Sequence, residues 1–173
     1  MSRLESGRIA LRLDWYDMND LVNKVINDLK EELKAFSLRV NIPENMPLVR
    51  IDFGLMEQVL YNLIYNSCQY APATSEITVS ADYLNGNLLI RILDEGPGFP
   101  PESLENVFNK FFRVNENGTG GLGLGLSIVK GFTEAHKGHV MAENRQGGGA
   151  VVTVSIPSDF PDITDISIEK SDA

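Results

Sequence analysis

Cysteine is almost missing from this chain: Cys68 stands alone, which excludes an internal disulfide and a thiolate metal cluster. Histidine is nearly as scarce. His136 and His139 are three apart, but Gly138 between them and the shortage of neighbouring carboxylates argue against zinc. No apolar run approaches the roughly 18 residues of a membrane span, and the N-terminus is not a signal peptide. The chain therefore reads as a soluble, cytoplasmic piece without membrane contact of its own. Positive charge is also in deficit, with 15 Lys and Arg against 24 Asp and Glu, a net charge of −9 and a pI near 4.7. That balance excludes a non-specific nucleic-acid surface, which rests on Lys and Arg. An anionic ligand would have to be held by local devices such as backbone N–H groups, a metal ion or a few placed cations. What is present is ordinary globular material, 43% hydrophobic and 23% charged over 173 residues, enough for one domain with spare chain at its ends.

Along the chain, residues 1–8 read as the tail of a helix closed by Gly7, and Ile9–Trp15 alternates like a half-buried strand through Leu11 and Leu13. Leu21, Val22, Val25, Leu29 and Leu33 predict an amphipathic helix over 18–35. Leu38–Ile42 and Leu48–Ile51 predict short strands around a Pro43–Pro47 turn. A second helix runs from an Asp52 N-cap to Tyr70, before Pro72. Strands 76–83 and 87–93 flank Asn85-Gly86, a strong hairpin signal. A short helix is expected around Ser103–Phe108 and a long one over Leu126–Ala135. Val140–Asn144 and Ala150–Ile156 form a last hairpin across Gly147–Gly149. Residues 158–173 hold five acids against one lysine and are expected to be a mobile tail. There are no internal repeats. Hairpins beside long helices point to an α+β, two-layer sandwich with a mostly antiparallel sheet and helices on one face.

Three stretches could carry chemistry. Asn62, Asn66 and Gln69 share one stripe of the second helix, beside apolar Val59, Leu60 and Leu63. They either cap loops or meet solvent, or they serve a ligand, since a buried amide without a partner costs roughly 1–3 kcal/mol. Asp94-x-Gly96-x-Gly98 follows an apolar strand. It is either a tight turn with an Asx cap, or a place where the backbone passes close to a flat ring and the carboxylate accepts from an exocyclic amine. Gly118-Thr-Gly-Gly-Leu-Gly-Leu-Gly125 opens into a helix and offers N–H donors to an anion. It is neither a P-loop, lacking the Gly-Lys-Ser/Thr ending, nor a Rossmann fingerprint. Lys110 and Arg113, within Phe108-Asn-Lys-Phe-Phe-Arg113, are the nearest cations in sequence. His136 reads as a helix-terminal histidine whose positive partial charge meets the dipole.

The order Asn62-x-x-x-Asn66, Asp94-x-Gly96-x-Gly98, Phe108-x-x-Phe-Phe-Arg113 and Gly121-x-Gly123-x-Gly125 resembles the N, G1, F and G2 boxes of sensor histidine kinases. These boxes mark the ATP-binding catalytic domain that such kinases share, in broader form, with DNA gyrase. The resemblance covers about residues 10–157 and implies the Bergerat-type ATP-binding fold. Pro47-Leu-Val-Arg-Ile-Asp-Phe53, Glu57-Gln-Val-Leu60 and Asn144-Arg-Gln-Gly-Gly-Gly-Ala150 are most similar to the potassium-responsive KdpD sensor kinases, and residues 1–9 to the end of their dimerisation helix.

The resemblance implies that Asn66 binds the Mg²⁺ bridging the phosphates, with Asn62 alongside, and that Gln69 and Tyr70 lie against the nucleotide. Asp94 would accept from the adenine amine, Gly96 and Gly98 would make room for the ring, and Lys110 and Arg113 would approach the terminal phosphates. Gly121, Leu122, Gly123, Leu124 and Gly125 would cradle the phosphates, and 114–122 would form a lid. Asn62, Asn66, Lys110 and Arg113 are the residues implied to carry the transfer. Two positions depart from the pattern: Gln69 where the family often has Lys, and Leu122 where it usually has Ser or Thr. Gyrase-like relatives carry a water-activating Glu where Asn62 stands, so ATP would be held for transfer rather than hydrolysed.

The expected function is donation of the ATP γ-phosphoryl group to a histidine on a separate dimerisation domain, then to a response regulator, within a parent anchored in the bacterial inner membrane. Neither His136-Lys137 nor His139-Val140 has the acidic context of that acceptor, so the acceptor is expected elsewhere. The alternatives are a nucleotide-binding regulatory module without transfer, and a serine kinase of the anti-sigma-factor type.

Overall fold

The computed structural model describes residues 9–110, 112 and 125–159. The hairpin signal at Asn85-Gly86 is realised with φ of 52° and 77°, the left-handed pair that a two-residue turn matched to strand twist requires. It joins β4 (Glu76–Leu84) to β5 (Asn87–Leu93). The second hairpin joins β6 (His139–Asn144) to β7 (Ala150–Pro157). With β2 (Ser37–Asn41) they form a five-stranded sheet in the order β2-β4-β5-β7-β6, parallel at β2-β4 and antiparallel elsewhere. The last strand in sequence thus lies inside the sheet.

Alternation along the strands gives the sheet one apolar face: Ile77, Val79, Leu88, Ile90, Ile92, Val152 and Val154 are buried. Against it lie the helices α1 (Met18–Asp28), α2 (Lys30–Leu33), α3 (Phe53–Tyr70) and α4 (Gly125–Ala135), whose Leu21, Val25, Leu60, Ile64 and Val129 join the same core. This is the expected α+β two-layer sandwich. Among the described residues, no helix is long and apolar enough to cross a membrane.

Four expectations change. The helix expected over 18–35 is broken at Leu29 (φ −104°, ψ 17°), although Leu29 N–H still donates to Val25 O and Leu33 N–H to Leu29 O. Apolar spacing records the continuous buried face and not a one-residue departure of the backbone. Of the strand expected over 9–15, only β1 (Asp14–Tyr16) forms, because its partner β3 (Val49–Ile51) is itself three residues long. Leu13 is 39% exposed. The strands flanking Pro43–Pro47 enter different sheets, β2 beside β4 and β3 beside β1. Instead of a helix over 103–108 there is a 3₁₀ turn, Pro101–Ser103, continued by Asn106 N–H to Ser103 O and Asn109 N–H to Asn106 O. The side chains of Asn106 and Asn109 bond each other across the last of these turns, at 3.2 Å.

Candidate functional site

Asp94 leaves the end of β5 and is 7% exposed. Its Oδ1 accepts from Gly96 N–H at 2.9 Å and Ala150 N–H at 3.3 Å, and its Oδ2 from Ser67 Oγ at 3.1 Å. The bond to Gly96 is the Asx turn anticipated from sequence; the other two tie the same carboxylate to α3 and to β7. A carboxylate accepts about four hydrogen bonds, so three partners fix its orientation and leave an acceptor site on Oδ2. Gly96 sits where a Cβ would come within 3.1 Å of Tyr70 O, so the turn lies directly on the C-terminal end of α3.

Asn62 and Asn66 lie half-buried one turn apart on α3. Asn62 Nδ2 donates to Gln58 O at 2.8 Å, which turns its Oδ1 outward from the helix. That oxygen would be 3.0 Å from a Cβ on Gly125. Gly125 begins α4, so the carboxamide stripe and a helix N-terminus meet, and glycine is what admits the approach. No hydrogen bond to the Asn66 amide is found among the described residues. The structure therefore brings Asn62 to Gly125, Asp94 to Gly96 and the end of α3, and Gly98 to Asn144 and Gly149.

Gln69 and Tyr70 are exposed on the last turn of α3, and Lys110 is exposed on the turns after the 3₁₀ segment. Arg113, Gly121, Leu122, Gly123 and Leu124, the expected lid 114–122, the helix tail 1–8 and residues 160–173 lie outside the described residues. Cys68 is half-buried, and burial pushes its thiol up to about 11, so it stays protonated at neutral pH and is no nucleophile.

His136 follows α4, as a helix-terminal histidine should, but not as a cation on the dipole. It is 6% exposed. Its Nε2 accepts from Asp52 N–H at 3.0 Å, so the ring proton lies on Nδ1, 2.8 Å from Phe132 O. Asp52 in turn caps α3 through Leu55 N–H and accepts from Arg12 N–H. The ring thus fastens the end of α4 to the start of the helix that bears the asparagines.

Sequence reasoning missed Ser67, whose signal was that it alone is polar on the buried stripe Leu60, Leu63, Ile64, Ser67. It also assigned no site role to Asn144, Arg145 and Gly149. Asn144 exchanges two hydrogen bonds with the Phe99 backbone, and Arg145 Nη1 donates to Asp94 O at 2.8 Å.

Residues 52–159 match the family model described as histidine kinase-, DNA gyrase B- and HSP90-like ATPase. The chain is 35% identical over 158 residues to the sensor protein KdpD of Escherichia coli (strain K12), covering 91% of itself and 18% of that protein. Among solved structures it is similar to full-length ShkA in complex with AMPPNP, with a TM-score of 0.81 and 25% identity over 92% of this chain and 34% of that one. The histidine kinase AdeS of Acinetobacter baumannii gives a TM-score of 0.76 and 26% identity over 91% of this chain and 73% of that one. The chain spans less than a fifth of the length of its KdpD relative.

Proposed function

Because the chain belongs to the histidine kinase-, DNA gyrase B- and HSP90-like ATPase family, we propose that residues 10–157 bind Mg-ATP and donate its γ-phosphoryl group to a histidine on a separate dimerisation domain of a KdpD-like sensor kinase. The phosphate then passes to an aspartate of a response regulator. Residues 1–9 resemble in sequence the end of a dimerisation helix, and the parent protein is anchored in the inner membrane. The observation that carries this reading is Asp94: a recessed carboxylate, held by three donors, with an acceptor site to spare. That is the group required to receive an adenine N6 amine.

On this reading Gly96 and Gly98 leave room for the purine, Tyr70 lies against the nucleotide, and Gln69 stands at a phosphate-facing position without a charge. Asn62, Gly125 and the N-terminus of α4 face the phosphates, with Gly121, Leu122, Gly123 and Leu124 completing the cradle and Lys110 and Arg113 supplying cations. Mg²⁺ takes few protein ligands and keeps several waters; the Asn66 amide, with no partner of its own among the described residues, is an oxygen donor suited to it. When bound, the ion neutralises phosphate charge during transfer. Asn62 cannot take a proton at neutral pH, so this chain positions the phosphates without activating water.

The chain's own histidines are poor acceptors. Both ring nitrogens of His136 are engaged in a buried site, and His139 opens β6 with no acidic neighbour. Mixing the chain with a dimerisation domain that contains an acceptor histidine, and following γ-labelled phosphate from Mg-ATP, tests the proposal. Transfer to the added domain is expected. ATP binding without transfer would favour the regulatory module.

A further inference from the structure

Resting on the reading of Asp94 as the purine acceptor, we infer that Asn144 and Arg145, at the head of the β6–β7 hairpin, are positioning residues that set purine selectivity by fastening both ends of loop 94–99. The loop is irregular, and its own side chains hold it through the Asp94–Gly96 bond and through Glu95 Oε2, which accepts from Glu76 N–H at 3.0 Å. Asn144 presents Oδ1 to Phe99 N–H at 2.8 Å and Nδ2 to Phe99 O at 2.7 Å. One side-chain amide thus reproduces the two-way pairing that a neighbouring strand would give. At the other end, the Arg145 guanidinium donates to Asp94 O at 2.8 Å, a charge-assisted bond. Arg145 is itself locked in the hairpin turn, its N–H on Gly149 O and its carbonyl taking Gly148 N–H.

These contacts come from the opposite side to Ser67. Asp94 is therefore gripped through its carboxylate by α3 and through its carbonyl by the hairpin, and the two grips fix where the spare Oδ2 site faces. Asn144 is exposed and Arg145 half-buried. Neither buries much apolar surface, so their removal affects the order of the loop more than the folding of the domain. A ligand base that must order the loop itself binds more weakly, whereas a triphosphate held at α4 does not sense the loss.

The test uses the full chain and its variants Asn144→Ala, Asn144→Asp, Arg145→Ala and Arg145→Lys. Calorimetry measures Mg-ATP, Mg-GTP and Mg-tripolyphosphate, and amide exchange follows Phe99 in the ligand-free protein. Asn144→Ala and Arg145→Ala are expected to weaken ATP by about tenfold, to lower the ATP-to-GTP ratio and to leave tripolyphosphate binding unchanged. Phe99 exchange should quicken in Asn144→Ala. Asn144→Asp, which keeps the acceptor for Phe99 N–H, should fall between, and Arg145→Lys should restore most of the affinity. Variants that keep the wild-type ratio, or that lose ATP and tripolyphosphate in equal measure, overturn the proposal while leaving Asp94 in place. A wild-type chain that binds ATP and GTP equally removes the Asp94 reading and the proposal with it.

Discussion

On the proposed reading, Asp94 serves the fold and a ligand with one carboxylate. Its two oxygens have different duties: Oδ1 accepts two backbone N–H groups, and Oδ2 accepts one hydroxyl and is open to a second donor. In Asp94→Asn the amide oxygen would stay with Gly96 and Ala150, and the new NH₂ would face both Ser67 Oγ and the adenine amine. Ser67 can turn its hydroxyl to accept, but the adenine amine cannot. The expected outcome is a loss of about ten- to a hundredfold in ATP affinity with the fold retained; near-equal affinity in calorimetry would remove Asp94 from the site. On the proposed reading, Asn66→Asp is expected to lower Mg-ATP affinity, because it replaces an amide proposed to hold the ion and sets a carboxylate beside the triphosphate. Titrations with and without the ion check this directly. Ser67, by contrast, was hard to foresee. Its role exists only because α3 brings it across from a residue 27 positions away, and no local pattern encodes that meeting.

At the scale of elements, the hairpin β6–β7 is both a sheet component and the brace of the Asp94 loop. Its glycines are not equivalent. Gly148 and Gly149 both have φ above 100°, but a Cβ on Gly148 would meet open space, whereas one on Gly149 would lie 2.1 Å from Asp94 O. Gly148→Ala should cost about 1–2 kcal/mol, the strain of a left-handed backbone alone. Gly149→Ala must also displace Asp94, so a cost nearer about 3 kcal/mol and loss of ATP binding are expected. Urea unfolding of the two variants separates these effects. Local chemistry made much of the fold legible: the Asp52 cap, the Asn85-Gly86 turn and the alternation of β4, β5 and β7 all act within a few residues. The parallel seat of β2 beside β4 was not legible, because pairing partners are chosen by sheet topology. The 3₁₀ turns at 101–109 were missed because apolar spacing over so short a run does not separate three-residue from four-residue backbone bonding.

For the whole molecule, the proposed reading turns on whether the two histidines of the chain can accept phosphate. Given Mg-ATP alone, the chain is expected neither to label itself nor to hydrolyse ATP at more than a feeble rate. His136 is buried and doubly bonded, and the resemblance to gyrase-like ATPases implies that Asn62 stands where they carry Glu. Asn62→Glu should raise hydrolysis while lowering transfer to an added dimerisation domain. Acid-labile phosphate on the isolated wild-type chain would contradict this account. The sheet order carries a consequence for synthesis. Since β7 is made after β5 and β6 yet sits between them, a chain whose β7 is still in the ribosome has β6 with no partner and β5 with one bare edge. Asp94 at that stage lacks both Ala150 N–H and the hairpin that grips its carbonyl. On the proposed reading, the purine site is completed only when β7 has joined the sheet, so a domain still lacking that strand is expected not to hold nucleotide.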